Sequence, residues 1–471
     1  MPANRTHQSR RGAAPAPHLD ALSRRRLLLS GGAGLLGLTL PGVLRGSEPK
    51  PRLKVRARSV IFLYQFGGPS HIDTFDMKPD APAEVRGELL PAASVVPGVP
   101  ICERLPRMAK VMDKVCLLHG VHHTMRNHNS ATYYALSGHE PPVDDITLRD
   151  SPELYPAYGS VVDHLAPAAP GVPTFVAYPY QIRDGVNSPG QHASFLGKAH
   201  DPLLILEDPN RDDFRLPELS LPEDVSLDRL ADRRGLQEIV NRQSRLLERS
   251  ATASGMDAFY QRAIGMLNSP QVRSAFDLAH AGDAERERYG RHTYGQGCLL
   301  ARRLVEAGVR LVTVYFSPNI GGSSTTSGGW DTHANNGKKM FPIITQYHLP
   351  YTDRTLPTLI EDLDDRGLLD ETLVIWMGEF GRTPKMNKNA GRDHWPQCYT
   401  VVLAGGGVKR GYVHGASDKH AAYPASGGSL LDDLAATIFY LVGIDPAREI
   451  YDQLQRPLQI SQGRPILDIV A

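Results

Sequence analysis

TLPTLIEDLDDRGLLDETLVIWMGEF, residues 355–380, changes period half-way. Its first half spaces leucine and isoleucine three and four apart among acidic residues, as an amphipathic helix does. Its second half runs L-V-I-W-M without a polar break, as a strand buried on both faces does. A helix feeding such a strand is the repeating unit of a parallel sheet covered by helices on both sides.

The same rhythm recurs along the chain. CLLARRLVEAGVRLVTVYF (298–316) and GSVVDHLAPAAPGVPTFVAYP (159–179) each read helix then strand. RSVIFLYQFGGPSH (58–71) reads as a strand entering a glycine-rich turn, and ERLPRMAKVMDKVCLLHGVHH (103–123) as an amphipathic helix leading into a strand. HNSATYYALSG (128–138) reads as a helix starting near Asn129 or Ser130, YTVVLAGGG (399–407) as a further strand, and SLLDDLAATIFYLVGI (429–444) as a late helix. The expected fold class is α/β, with a mainly parallel central sheet and helices on both faces. Loops at the carboxyl ends of its strands are where a site is expected.

The chain of 471 residues carries a formal charge of +1, so nothing in its balance points to nucleic acid as a partner. Basic residues are concentrated in the first 58 positions. There S-R-R-R-L-L (23–28) opens the apolar, glycine-rich run LLLSGGAGLLGLTLPGVL. A positive front before a run of this length reads as an export signal of the twin-arginine type, covering 1–46, rather than a stable transmembrane insertion. The twin-arginine translocon is then a partner during export. Residues 47–471 form one domain, with 201–290 set apart as a cap or insertion by its prolines and by charged helical material such as SLDRLADRRGLQEIVNRQSRLLE (226–248). Cys102, Cys116, Cys298 and Cys398 form no CxxC pattern and read as buried thiols. Gly405–Gly407 suit a sharp turn at the sheet edge, not a phosphate loop.

Polar residues cluster after four of the expected strands. They are Ser70, His71, Asp73 and Asp76; His119, His122, His123, Arg126, His128 and Ser130; Asp331 and His333; and Glu379, Arg382, Asp393 and His394. Carboxylates and imidazoles suit a divalent ion, and arginines suit an anionic oxygen. GGSSTTSGGWD (321–331) reads as a mobile loop on the substrate side.

The motifs FLYQFGGPSHIDTFD, WDTH, MGEFGRTP and GRDHWP resemble those of the exported DUF1501 family, which is similar to the alkaline phosphatase and sulfatase superfamily. The resemblance runs from about residue 58 to the end and implies an alkaline-phosphatase-like fold. It also implies a centre of one or two divalent ions, zinc, calcium or manganese, at strand ends. By it, Asp73 is the first carboxylate ligand, Asp331 and His333 are the middle pair, and His394 is the late histidine. Glu379 stands where the superfamily's strand ends in Asp-His, so one imidazole is replaced. His71 joins the ligand candidates from the first cluster.

The resemblance places the nucleophile near the start of HNSATYYALSG, where Ser130 is the nearest hydroxyl; Ser70 and attack by metal-bound water stay open. Arg382, with Arg126 second, is the clamp expected for a substrate oxygen, and His123 or His128 the donor of a proton to the leaving group. The expected activity is hydrolysis of sulfate or phosphate esters in the periplasm or outside the cell, on a sulfated or phosphorylated small molecule or polysaccharide. The competing expectation is a non-catalytic binding protein of the envelope that retains the fold.

Overall fold

The computed structural model describes residues 53–214, 265–266, 268–316, 329–334 and 339–471. The expected export signal, the stretch 226–248 expected to be helical and most of the 321–331 loop lie outside the described residues. No helix among the described residues is long and apolar enough to cross a membrane.

A nine-stranded sheet forms the centre. Its strands in chain order are β1 (Ser59–Tyr64), β2 (Val115–His122), β3 (Phe175–Tyr178), β4 (Leu203–Leu204), β5 (Leu311–Tyr315), β6 (Thr372–Met377), β7 (Tyr399–Ala404), β8 (Tyr412–His414) and β9 (Ser429–Leu430). Across the sheet the order is β8-β2-β7-β6-β1-β5-β3-β4, with β9 also pairing β2. Every pairing is parallel except those of β7 with β6 and with β2.

Alternation along β1 and β6 divides the core. Ile61, Leu63, Val374 and Trp376 face one layer; Val60, Phe62, Leu373, Ile375 and Met377 face the other. The first layer is covered by helices Thr293–Glu306 and Leu349–Asp365, the second by His128–Ser137, Tyr158–Leu165 and Leu431–Leu441. Apolar residues on both faces are what a strand sandwiched between helices requires, and each large side chain so buried contributes about 1.5–3 kcal/mol. Trp376 packs edge-on against Phe75 at 5.4 Å, which ties the loop after β1 to the sheet.

Three local readings change. The helix expected at 103–114 is two single 3-10 turns, Met108–Lys110 and Met112–Lys114. Its would-be first turn is drawn away because Asp353 accepts the backbone N–H groups of Arg107 and Met108, at 2.9 and 2.8 Å. The described flanks of 201–290 are built into the main domain: Leu203–Leu204 adds an edge strand beside β3, and Val272, Phe276 and Tyr289 are core residues. The helix containing 355–365 begins earlier, at Leu349.

All four cysteines are free and buried. Gly405, Gly406 and Gly407 make the tight turn expected, each with positive φ. Because β7 runs against its neighbours, that turn lies at the opposite sheet edge from the carboxyl ends of β1, β2, β5 and β6.

Candidate metal centre

β1, β2, β5 and β6 all point the same way, so the segments that leave them meet at one edge. The antiparallel β7 starts at that edge, and His394, just before it, therefore arrives there from the opposite chain direction. His128 is the first residue of its helix. The turn before it is fixed by Asp144, which accepts the backbone N–H groups of Arg126 and Asn127, each at 3.0 Å. Asp331 and His333 follow β5, and Glu379 and Arg382 follow β6.

Three imidazoles share one arrangement. His128 Nδ1–H donates to Glu379 Oε1 at 2.7 Å, His333 Nδ1–H to Asp393 Oδ1 at 2.7 Å, and His394 Nδ1–H to the Arg126 carbonyl at 2.7 Å. With a cation among the rings, these acceptors at the δ nitrogens hold each imidazole in the tautomer that carries its lone pair on Nε2. Those Nε2 atoms lie 3.5, 2.9 and 3.1 Å from the same oxygen, Asp331 Oδ1. The His333 and His394 Nε2 atoms are themselves only 2.9 Å apart. Lone pairs aimed at one another and at a carboxylate repel unless a cation stands among them. His128, Asp331 and His394 each offer one ligand atom, all within 4.8 Å of one another, and can coordinate a metal ion.

The surrounding charges fit that use. Asp331 is held far below the usual carboxylate range: burial opposes this, but Arg382 at 2.7 Å and the three histidines outweigh it. His128 is pushed down by burial yet raised to about 9 by its bonds to Asp331 and Glu379, so a proton holds part of the cation's place when no ion is bound. Burial pushes His394 down to about 4, which keeps its lone pair available. Glu379 is fully buried, and its Oε2 has no hydrogen-bond partner among the described residues. An orphaned carboxylate oxygen at this depth is costly without a nearby positive charge. His333 and His394 are each about one-fifth exposed, whereas Asp331 and His128 are nearly covered, so solvent reaches the centre from the His333–His394 side.

A family model described as a protein of unknown function, DUF1501, matches residues 57–470. The chain belongs to that family. No curated protein matches it. Among solved structures it is similar to a protein of the alkaline phosphatase superfamily from Vibrio parahaemolyticus, at 10% identity and a TM-score of 0.39, covering 89% of this chain and 71% of that one. It is similar too to the PsFucS1 sulfatase from a Pseudoalteromonas species, at 12% identity and a TM-score of 0.37 over 88% of this chain and 72% of that one. A third is the lipoteichoic acid synthase LtaP of Listeria monocytogenes, at 9% identity and a TM-score of 0.38 over 88% and 78%.

Within this DUF1501 chain, the expected ligands Asp331, His333 and His394 meet, with Glu379 beside them. His128, expected as a proton donor, stands with Asp331 and His394 in the group that can hold a metal ion. Asp73 and His71 stand apart. Asp73 is locked with Arg392, whose Nε and Nη2 reach its two oxygens at 2.7 and 3.2 Å. His71 Nε2 donates to the Ala421 carbonyl at 2.8 Å, and its Nδ1 faces the backbone at Gly381.

The catalytic candidates fare differently. Ser130 Oγ is engaged by the carbonyls of Val143 and Asp145 and the N–H of Asp145, so helix geometry turns the hydroxyl toward that loop. His123 donates Nε2–H to the Glu379 carbonyl and accepts the Met125 N–H at Nδ1, and burial holds it neutral, with its pKa down to about 4. Arg382 is fully buried and donates to the carbonyls of Gly67, Gly68 and Arg392 as well as to Asp331. It therefore braces the loops and charges Asp331 rather than presenting a free fork. Arg126 is exposed, and no ion pair ties its guanidinium among the described residues.

Asp393 and Arg392 were not singled out as partners by sequence reasoning. Their signal was adjacency: both sit in GRDH, directly before the candidate ligand His394.

Proposed function

We propose that this protein is an exported, metal-dependent hydrolase of sulfate or phosphate esters. The observation that carries the reading is the convergence of three Nε2 lone pairs on Asp331 Oδ1, with each Nδ1 fixed by an oxygen acceptor. Three imidazoles and one carboxylate suit zinc or a similar transition ion; calcium prefers an all-oxygen shell. When bound, such an ion lowers the pKa of water and polarises an ester oxygen.

The chain's own residues divide the remaining work. Glu379 and Asp393 orient His128 and His333 and keep their δ nitrogens protonated. Arg382 holds Asp331 anionic. Arg126, exposed next to the backbone carbonyl that supports His394, is the guanidinium best placed to meet an equatorial oxygen of a phosphoryl or sulfuryl group. With the Ser130 hydroxyl committed to the 143–145 loop, attack by water is favoured over a covalent route through that residue. The leader at 23–44 supports export through the twin-arginine translocon, and a sulfated or phosphorylated small molecule or polysaccharide is the substrate class.

A second reading has its own support. Ser130, His123 and Arg382 all have their polar atoms engaged by the protein, which favours a non-catalytic envelope protein that binds an anionic glycan through its metal. The test is metal content by elemental mass spectrometry on the leader-free protein, followed by turnover of aryl sulfate and aryl phosphate esters with zinc or manganese, with His394→Ala as control. Metal-dependent turnover abolished in that variant supports the hydrolase. Bound metal with no turnover of either ester class favours the binding protein.

A further inference from the structure

Asp73 leaves β1 toward the same edge as Asp331 and Glu379, and both it and Arg392 have fully buried side chains. All five donors of Arg392 are assigned: Nε and one Nη2 hydrogen to Asp73, the other Nη2 hydrogen to the Val85 carbonyl, and Nη1 to the carbonyls of Thr383 and Pro384. Ser70 Oγ donates to the same Asp73 carboxylate. Asp73 thus has its counter-charge already, covalently part of the chain.

The charge balance agrees. Asp73, Asp331, Glu379 and Asp393 supply four negative charges, and Arg382 and Arg392 supply two positive ones. One divalent ion brings this group to neutrality; two would leave it at a net +2, with only Asp393 of the four carboxylates open to solvent and uncompensated buried charge expensive. Among the described residues, only one group of three potential ligands gathers, His128, Asp331 and His394, and His333 adjoins it with Nε2 2.9 Å from Asp331 Oδ1.

We propose that the centre takes one ion per chain, held by His128, His333, His394 and Asp331, and that Arg392 serves Asp73 as a fixed cation where a second ion would otherwise be needed. This rests on the metal-centre reading above. Asp73 is then a positioning residue for the loop after β1 and does not ligate metal.

The experiment loads the leader-free protein with manganese and measures both stoichiometry and the electron paramagnetic resonance spectrum, alongside Asp73→Asn and His333→Ala. The expected result is one equivalent with an isolated six-line signal. Asp73→Asn keeps that equivalent with less than about a threefold change in Kd, and His333→Ala weakens binding at least tenfold. Two equivalents with a spin-coupled signal in the unmodified protein overturn the one-ion proposal and leave the metal-centre reading standing. No binding at all overturns both. Because Asp73→Asn leaves Arg392 buried without its partner and risks misfolding, the stoichiometry and coupling of the unmodified protein decide the question without it.

Discussion

Glu379 Oε1 lies 2.7 Å from His128 Nδ1 and, at 2.8 Å, also accepts the N–H of Gly67. One oxygen thereby joins the strand end of β6, the helix start after β2 and the loop after β1. Glu379→Gln keeps an acceptor but removes the charge, and is expected to weaken metal binding about tenfold; Glu379→Ala removes both and is expected to weaken it up to about 100-fold. Chelator-competition titration with zinc reads both values. Equal affinity in all three proteins would mean that Glu379 does not orient the ligand.

Asp393 plays the matching part for His333, but its side chain is half exposed while that of Glu379 is fully covered. Water can replace an exposed acceptor. Asp393→Ala is therefore expected to cost no more than about tenfold in affinity, and less than Glu379→Ala in the same titration. The reverse order would contradict the burial argument.

The sheet was readable because its strands are apolar on both faces, a pattern that SVIFLY at 59–64 and TLVIWM at 372–377 display without help from the rest of the chain. The site was readable only as a set of clusters. HHTMRNH contains three histidines at 122, 123 and 128 that are equivalent by type, and only the fold separates them. His123 turns its Nε2 to the Glu379 carbonyl, whereas His128 opens a helix and turns its Nε2 to Asp331. The Asp73–Arg392 pair spans more than three hundred residues and leaves no local pattern. In the same way, Ser130 looked like a nucleophile at a helix start until the 143–145 loop was seen to occupy its hydroxyl.

Gly67 has φ +97°, and a Cβ there would stand 2.2 Å from the backbone nitrogen of Asp331. Neither the dihedral nor the space admits a side chain, so Gly67→Ala must push the loop after β1 away from Asp331. The expected outcome is loss of metal binding by at least tenfold, with secondary structure by circular dichroism retained. Unchanged affinity would show that the two loops are not in the contact described.

Ser130→Ala separates a structural hydroxyl from a chemical one. Removing Oγ takes the 2.7 Å acceptor from the N–H of Asp145, an exposed residue whose amide water can partly satisfy, a loss of about 0.5–1.5 kcal/mol of stability in urea titration. Metal content is expected to stay at the unmodified level. If ester turnover is found, a phosphate or sulfate burst from Ser130 is not expected, and rapid-mixing measurements that show one lost in Ser130→Ala would restore the covalent route.

Acid sensitivity is expected from buried histidines outside the proposed ligand set. Burial pushes His123, His139 and His292 down to about 4 and His348 to about 3. Above pH 6.5 these groups are neutral folded or unfolded, and they contribute no pH dependence. Below it the unfolded chain takes up protons that the native protein refuses, so stability falls as pH drops from about 6.5 to about 4, by up to roughly 1.4 kcal/mol per pH unit for each histidine. His348 is the clearest case: it is packed against Trp330 at 4.7 Å and Phe316 at 5.3 Å, with no partner for Nδ1 among the described residues. His348→Leu is expected to remove about one proton from the linkage, which makes the fall between pH 6.5 and 5 shallower in urea titrations of chelator-treated protein. Chelation matters because acid also protonates the metal ligands, and only the metal-free slope isolates the buried imidazole. An unchanged slope in His348→Leu would place that ring in contact with water or with its proton retained in the native state.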